Sequence, residues 1–443
     1  MGSLLIRSGL VVTMNDRCDV VEGDVSIADG RIAAIAPTIA SRHDRTIDAR
    51  GGYVLPGLIQ THIHLCQTLF RGYADDLPLM DWLRTRVWPM EAAHTPDTLR
   101  AAARLAATEL LSSGTTAVLT METVHDTDVV FETVAQSGLR ATIGKCMMDF
   151  DAQVPKRLQE ETRASIDESV AIRKRWDGAA GGRLRAAFAP RFAVSCSREL
   201  LEAVADLSQQ HQALIHTHAS ESRDEIAIVR KLSGGLNNVA YLASLRLASP
   251  HLCAAHCVWV DEAEQALLAR HDVKVMHCPG SNLKLGSGIA PVPELRARGI
   301  TVSLGADGAA CNNRLDMFDE MRLAAALQAM RRQPGVLPAR DVLWMATRAG
   351  ARTVGLEAEI GSLEPGKRAD LIVVDRDRPH LATGPDPYST LVYAARGTDV
   401  RTTVVDGEVV VDDFTPVGVD RAEVAAHARE AARALATRAG IPG

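Results

Sequence analysis

No stretch of this 443-residue chain reaches the ~18 consecutive apolar residues that a membrane-crossing helix needs. The start, Met1-Gly2-Ser3-Leu4-Leu5-Ile6-Arg7, lacks the basic segment, apolar segment and small-residue cleavage site of a secretory leader, so a cytoplasmic protein without a membrane role is expected. Positive charge is not in excess. The 49 Lys and Arg face 55 Asp and Glu, a net charge of -6. Basic runs are short, Arg331-Arg332 among them. Non-specific nucleic-acid affinity comes mostly from Lys and Arg neutralising phosphates, so no nucleic-acid partner is expected. The eight cysteines form no CxxC pair and no framework, and in a reducing compartment they read as small buried apolar residues. Internal repeats and low-complexity linkers are also missing. What remains, 47% hydrophobic and 23% charged, is the composition of an ordinary globular protein, not of a collagen-like, disordered or coiled-coil chain.

The first 55 residues carry short β-rich runs, Leu4–Arg7, Leu10–Met14 and Asp24–Ala28, the last followed by the hairpin signal Asp29-Gly30 and a return run Arg31–Ile35. From Leu58 the pattern changes. Eight short apolar runs (Leu58–His62, Thr115–Thr120, Ala141–Met147, Leu184–Pro190, Ala213–His218, Leu252–His256, Val273–His277 and Thr301–Ala306) alternate with helical segments such as Thr98–Leu111, Ser197–His211, Asp261–Arg270 and Asp316–Arg331. Eight β-then-α units predict an α/β fold, a (β/α)8 TIM-like barrel over residues 57–356. The tail returns to strands at Asp370–Asp375, Val400–Val405 and Glu408–Val411, then ends in an Ala-rich segment, Asp420–Gly440, expected to be an exposed helix. Residues 1–56 and 357–443 are therefore expected to form one composite β-sandwich carrying that helix.

A parallel barrel places its ligands at the C-terminal ends of its strands. The first strand ends in His62-Ile63-His64, and residues i and i+2 of a strand share a face. The fifth ends in His216-Thr217-His218-Ala219-Ser220-Glu221, the sixth in His256, the seventh in His277 and the eighth in Asp307. Only 14 histidines occur in the chain, so this concentration is unlike chance. Imidazoles with a carboxylate suit zinc or iron. His216 and His218 face the same way, but only His218 has a glutamate at +3. On the residues alone the choice between His216 and His218 stays open.

The segment Pro56–His64, the fifth-strand pair His218 and Glu221, the sixth-strand His256, the eighth-strand Asp307 and the returning Gly361–Leu371 together resemble the amidohydrolase superfamily. The similarity is greatest to its branch of aromatic deaminases and s-triazine hydrolases. That branch includes S-adenosylhomocysteine, methylthioadenosine and guanine deaminases. The resemblance implies one divalent metal ion, zinc with iron as the alternative, held by His62, His64, His218 and Asp307. It implies Glu221 as the proton shuttle, with His256 orienting the attacking water and, with Asp307, helping a proton to the departing amine. It also implies a homo-oligomer.

The expected pocket residues are Gln67, Trp82, Glu91, Arg191, Phe192 and His277. The long first loop, Leu77–Leu83 onward, is expected to cover the site, with Trp82 either in it or in the core. By resemblance, Glu91 matches a glutamate that binds ribose hydroxyls in nucleoside deaminases, its alternative being a solvated helix position. Gln67 matches a base-contacting glutamine of guanine deaminases. After the fourth strand, Pro190-Arg191-Phe192 stands where nucleoside deaminases have a histidine, and is like guanine deaminase instead. The run after Asp307 is more like the nucleoside deaminases. His277 is either a substrate contact or a structural hydrogen-bonding group. The function expected is deamination of an adenosine-type nucleoside, a guanine-like base or a related small N-heterocycle. A triazine-type chlorohydrolase is the alternative. A cyclic amide hydrolase lacks its fourth-strand lysine here, and a non-catalytic binding protein would not need the intact set.

Overall fold

The computed structural model describes residues 2–150 and 153–442; Met1 and Gly443, where the expected terminal segments begin and end, lie outside it. Eight parallel strands stand in strictly sequential order: Leu58–Ile63, Thr115–Met121, Arg140–Met147, Leu184–Pro190, Ile215–Ala219, Leu252–His256, Lys274–His277 and Val302–Leu304. Each matches its expected run to within a few residues. The ring closes between the last strand and the first. Thr61 Oγ1 donates to the Leu304 carbonyl at 2.9 Å, and the Asp307 amide donates to the His62 carbonyl at 3.0 Å. Gly305 makes this approach possible, since a Cβ there would stand 2.6 Å from the His62 carbonyl oxygen.

The chain ends build a separate nine-stranded sheet. Leu4–Val12 is its hub, pairing with Val20–Ala28, Arg45–Asp48 and Tyr53–Pro56. The tail strand Leu371–Val374 pairs with Tyr53–Pro56 and carries Val400–Val405 beside it. The sheet folds over a core of Leu4, Ile6, Val25, Ile27, Ile47, Val54, Leu371 and Val404, as a sandwich does. Two expected N-terminal runs prove to be one strand. The register shifts between Ile6 and Gly9, with Ser8 at φ 59, so a bulge replaces the expected break.

The last helix, Arg421–Ala439, is not simply exposed as expected. Val424, Ala428, Ala431 and Leu435 recur at helical spacing, are buried, and lie against the barrel helix Pro96–Ser112, where Arg104 pairs with Glu423 at 2.9 Å. All eight cysteines are free, and seven are buried. Among the described residues, no helix is long and apolar enough to cross a membrane.

Candidate metal centre and active site

The strand ends turn sharply where the chemistry gathers. Ser220, His256, Cys257 and Asp307 all have left-handed backbone, with φ of 55, 71, 45 and 63. Such residues cost of order 1–3 kcal/mol each and persist where the surrounding structure holds them.

His62, His64, His218 and Asp307 offer one ligand atom each, all within 4.8 Å of one another. The hydrogen bonds fix which nitrogens face inward. His64 Nδ1 donates to the Met121 carbonyl at 2.7 Å, and His218 Nδ1 donates to the Arg191 carbonyl at 2.7 Å. A carbonyl only accepts, so both Nδ1 atoms carry protons, and a neutral ring then keeps a lone pair on Nε2. Those two Nε2 atoms face each other at 3.3 Å. Two opposed lone pairs repel unless a cation lies between them. His62 Nε2 is buried without a hydrogen-bond partner and lies 3.3 Å from Asp307 Oδ1, and His64 Nε2 is at the same distance from that oxygen. The four residues therefore fit a divalent cation.

Electrostatics agree. Burial pushes His62 down to about 4, against the pull of Asp307, and holds His218 well below its ordinary range, with the other imidazoles adding to it. Asp307 sits well below the usual carboxylate range, because His62 and His64 outweigh its burial. Neutral imidazoles and an ionised carboxylate are the states that ligate metal. Asp307 is further held by Ser281 Oγ donating to Oδ2 and the Gly308 amide donating to Oδ1, both at 2.7 Å. His62 Nδ1 is paired with His216 Nε2 at 2.6 Å, which places His216 directly behind a ligand.

Glu221 and His256 complete the cluster. His256 Nε2 lies 3.5 Å from Glu221 Oε2 and 3.8 Å from Asp307 Oδ2, while its Nδ1 pairs with Asn282 Oδ1 at 2.9 Å. Burial raises the Glu221 carboxyl, partly offset by His256. His256 is also raised: burial opposes its charge, but Glu221 and Asp307 prevail.

Above the cluster is a cavity of about 20 Å³, room for little more than a water molecule. Its wall is His64, Leu79, Trp82, Leu83, Arg191, Phe192, His218, Glu221 and Asp307. The first loop thus covers the site through Leu79, Trp82 and Leu83. Gln67 and Glu91 are not on this wall. They are buried and joined to each other and to Arg191. Glu91 is therefore not a solvated helix residue. His277 is also off the wall, with both ring nitrogens buried and unpartnered, and burial, with His256 beside it, pushes it down to about 3.

Several supporting residues escape a reading of the sequence. Glu122 accepts from the amides of Leu65 and Cys66 at 3.2 and 3.0 Å, fixing the turn after His64. Ser287 Oγ donates to Glu221 Oε1 at 3.3 Å. Glu225 accepts from the Glu221 amide at 2.7 Å within a Ser222/Glu225 capping box, a signal the S-x-x-E spacing does carry.

Known proteins resemble this chain over nearly its whole length. The chain is 39% identical over 441 residues to 5'-deoxyadenosine deaminase of Methanosarcina acetivorans, covering 99% of this chain and 100% of that protein. It is 39% identical to the 5-methylthioadenosine/S-adenosylhomocysteine deaminase of Symbiobacterium thermophilum, covering 98% and 99%. An adenosine deaminase from Xanthomonas campestris with bound zinc superposes with a TM-score of 0.92 and 33% identity over 98% of each chain. The zinc-bound atrazine chlorohydrolase of Arthrobacter aurescens TC1 superposes at 0.91 with 27% identity, over 97% of this chain and 100% of that one. The amidohydrolase family pattern itself runs through residues 53–410, and with the full-length likeness to these enzymes it establishes that the chain belongs to the amidohydrolase family.

Proposed function

We propose that the chain is a metal-dependent deaminase that replaces the exocyclic amine of a purine-like or related N-heterocycle with oxygen and releases ammonia. One observation carries this: a buried carboxyl, Glu221, stands beside a cation-ready cluster and within 3.5 Å of a histidine that also faces Asp307. The deaminase names of the full-length relatives support it. We assign the cation as zinc, with iron the alternative; the zinc-bound structural neighbour supports that choice. Such a cation lets water act as a nucleophile near neutral pH. Glu221, its proton affinity raised by burial, takes a proton from the attacking water and delivers it to a ring nitrogen. His256, held at Nδ1 by Asn282, keeps Nε2 between the carboxylates of Glu221 and Asp307 and passes the second proton to the departing amine. Arg191 offers donors to a ring acceptor, and Phe192 and Trp82 offer flat apolar faces to the ring.

In this reading residues 57–356 form the catalytic barrel, and the enzyme works as a cytoplasmic homo-oligomer on a small-molecule substrate. Eight unpaired cysteines support a reducing compartment. A second reading, halide displacement from a triazine, is favoured by the likeness to the chlorohydrolase structure. A product screen with metal-loaded protein separates them. Ammonia from adenine nucleosides, guanine, pterins, cytosine or aminotriazines is the expected result. Chloride from chlorotriazines with no ammonia from any amine would reject deamination.

His216 provides a separate test. With its Nε2 given to a cation, His62 carries its proton on Nδ1 and donates to His216 Nε2. Removing such a partner typically weakens metal binding about 10–100-fold. His216→Phe should show that loss in chelator competition. Unchanged affinity would leave His216 a packing residue.

A further inference from the structure

We propose that Glu320 is a positioning residue for proton transfer: it holds the turn after the seventh barrel strand against the loop after the eighth, and so aims His256 and Asp307. The inference rests on the reading above of His256 as the group that passes a proton to the departing amine.

Glu320 lies on the helix Met317–Arg331, is 1% exposed and is not on the cavity wall. Its two oxygens reach two different loops. Oε2 accepts from the Gly280 amide at 3.0 Å, within the short turn of helix Pro279–Lys284. Oε1 accepts from Asn312 Nδ2 at 2.7 Å, and the same amide group donates to the Ala306 carbonyl at 2.7 Å. The approach is close. A Cβ on Gly280 would stand 2.5 Å from Glu320 Oε1 and 2.7 Å from Asn312 Nδ2.

The next residues along each loop hold the reacting groups. Ser281 Oγ donates to Asp307 Oδ2 at 2.7 Å, and Asn282 Oδ1 accepts from His256 Nδ1 at 2.9 Å. Ala306 directly precedes Asp307. Asp307 Oδ1, the oxygen that faces His62 and His64, has its own support from the Gly308 amide at 2.7 Å. Glu320 thus governs Asp307 Oδ2 and the His256 ring, while the ligand side of the cluster is held separately.

The choice of a carboxylate is informative. Burial raises the Glu320 carboxyl to about 7, against the pull of Asn312 and the Gly280 amide. A buried charge is costly unless it is hydrogen-bonded, so a glutamine would fill this place at less cost. Both partners, however, are N–H donors. A carboxylate accepts from both, whereas a glutamine sets its own NH2 group against one of them. Losing either contact frees one loop, and Asn282 or Ser281 moves with it.

The test uses the metal-loaded full chain and its best ammonia-releasing substrate. Glu320→Gln should lower kcat by about 10–100-fold, the usual loss for a residue that supports a metal site from behind. KM should stay within about threefold and metal content should be unchanged, because Glu320 touches neither substrate nor ligand atoms. Asn282→Ala should give a loss of the same order. The double variant should fall no more than about threefold below the less active single variant, because residues acting through one another are not additive. Gly280→Ala pushes the carboxylate aside while keeping it; it should repeat the loss in kcat, and it decides the matter if Glu320→Gln does not fold. A kcat within about threefold of wild type, loss of the metal, or losses that multiply in the double variant would overturn the inference. His256→Ala, measured beside them, separates the two readings. Wild-type kcat there would reject the role given to His256. A large loss there with none in Glu320→Gln would reject only that of Glu320.

Discussion

Glu221→Gln is expected to keep its full metal content and lose about 10²- to 10⁴-fold in kcat, the range that a positioned general acid–base contributes. The substitution keeps the side chain's shape and removes its ability to take a proton. Glu221 is not among the four ligand residues, and its backbone is held independently by Glu225, so the cluster should survive. Metal analysis and steady-state ammonia release on the same sample check both halves. Turnover like wild type would remove Glu221 from proton transfer. Loss of the metal would instead make it a ligand.

The second large effect concerns stability. Arg140 opens the third barrel strand and reaches into the terminal sheet, where Nε donates to Asp370 Oδ2 at 2.7 Å and Nη2 to Asp370 Oδ1 at 2.9 Å. Asp370 Oδ1 also accepts from the Asp406 amide at 2.8 Å, and Asp406 in turn pairs with Arg368 at 2.8 Å. The side chains of Arg140 and Asp370 are 5% and 2% exposed. Removing Asp370 leaves the buried guanidinium only its longer contact with Asp406 at 3.4 Å, and breaking a buried pair costs about 3–5 kcal/mol. Asp370→Ala should therefore lower the free energy of unfolding by about 3–5 kcal/mol, read by denaturant titration. A change under about 1 kcal/mol, the range of surface pairs, would show that the barrel and the sheet do not depend on this bond.

The barrel was legible because its signals are local. Short apolar runs such as Leu252–His256 and capped helices such as that after Asp261 announce themselves within a dozen residues. The candidate ligands were legible because strand periodicity and strand ends place His62 and His64, and likewise His216 and His218, on a shared side, while the resemblance singled out His218. The buried stripe of the terminal helix was missed because Ala428 and Ala431 within it carry little hydropathy contrast against an alanine-rich helix. The ion pair between Glu91 and Arg191 was not legible, although both were expected near the pocket. Glu91 and Arg191 are separated by 100 positions, and each alone admits a substrate-facing role. Only their contact shows that they satisfy each other. The same holds for Glu122 and for His216 behind His62, whose roles depend on which backbone or ring arrives opposite them.

The central claim is that three imidazoles and one carboxylate from distant parts of the chain converge on one cation. Anomalous diffraction from crystals of the metal-loaded protein tests it most directly. The account predicts a single strong peak enclosed by His62, His64, His218 and Asp307, with Glu221 and His256 beside it. Metal-replete protein without a peak at that position, or with its peak on other residues, would contradict it.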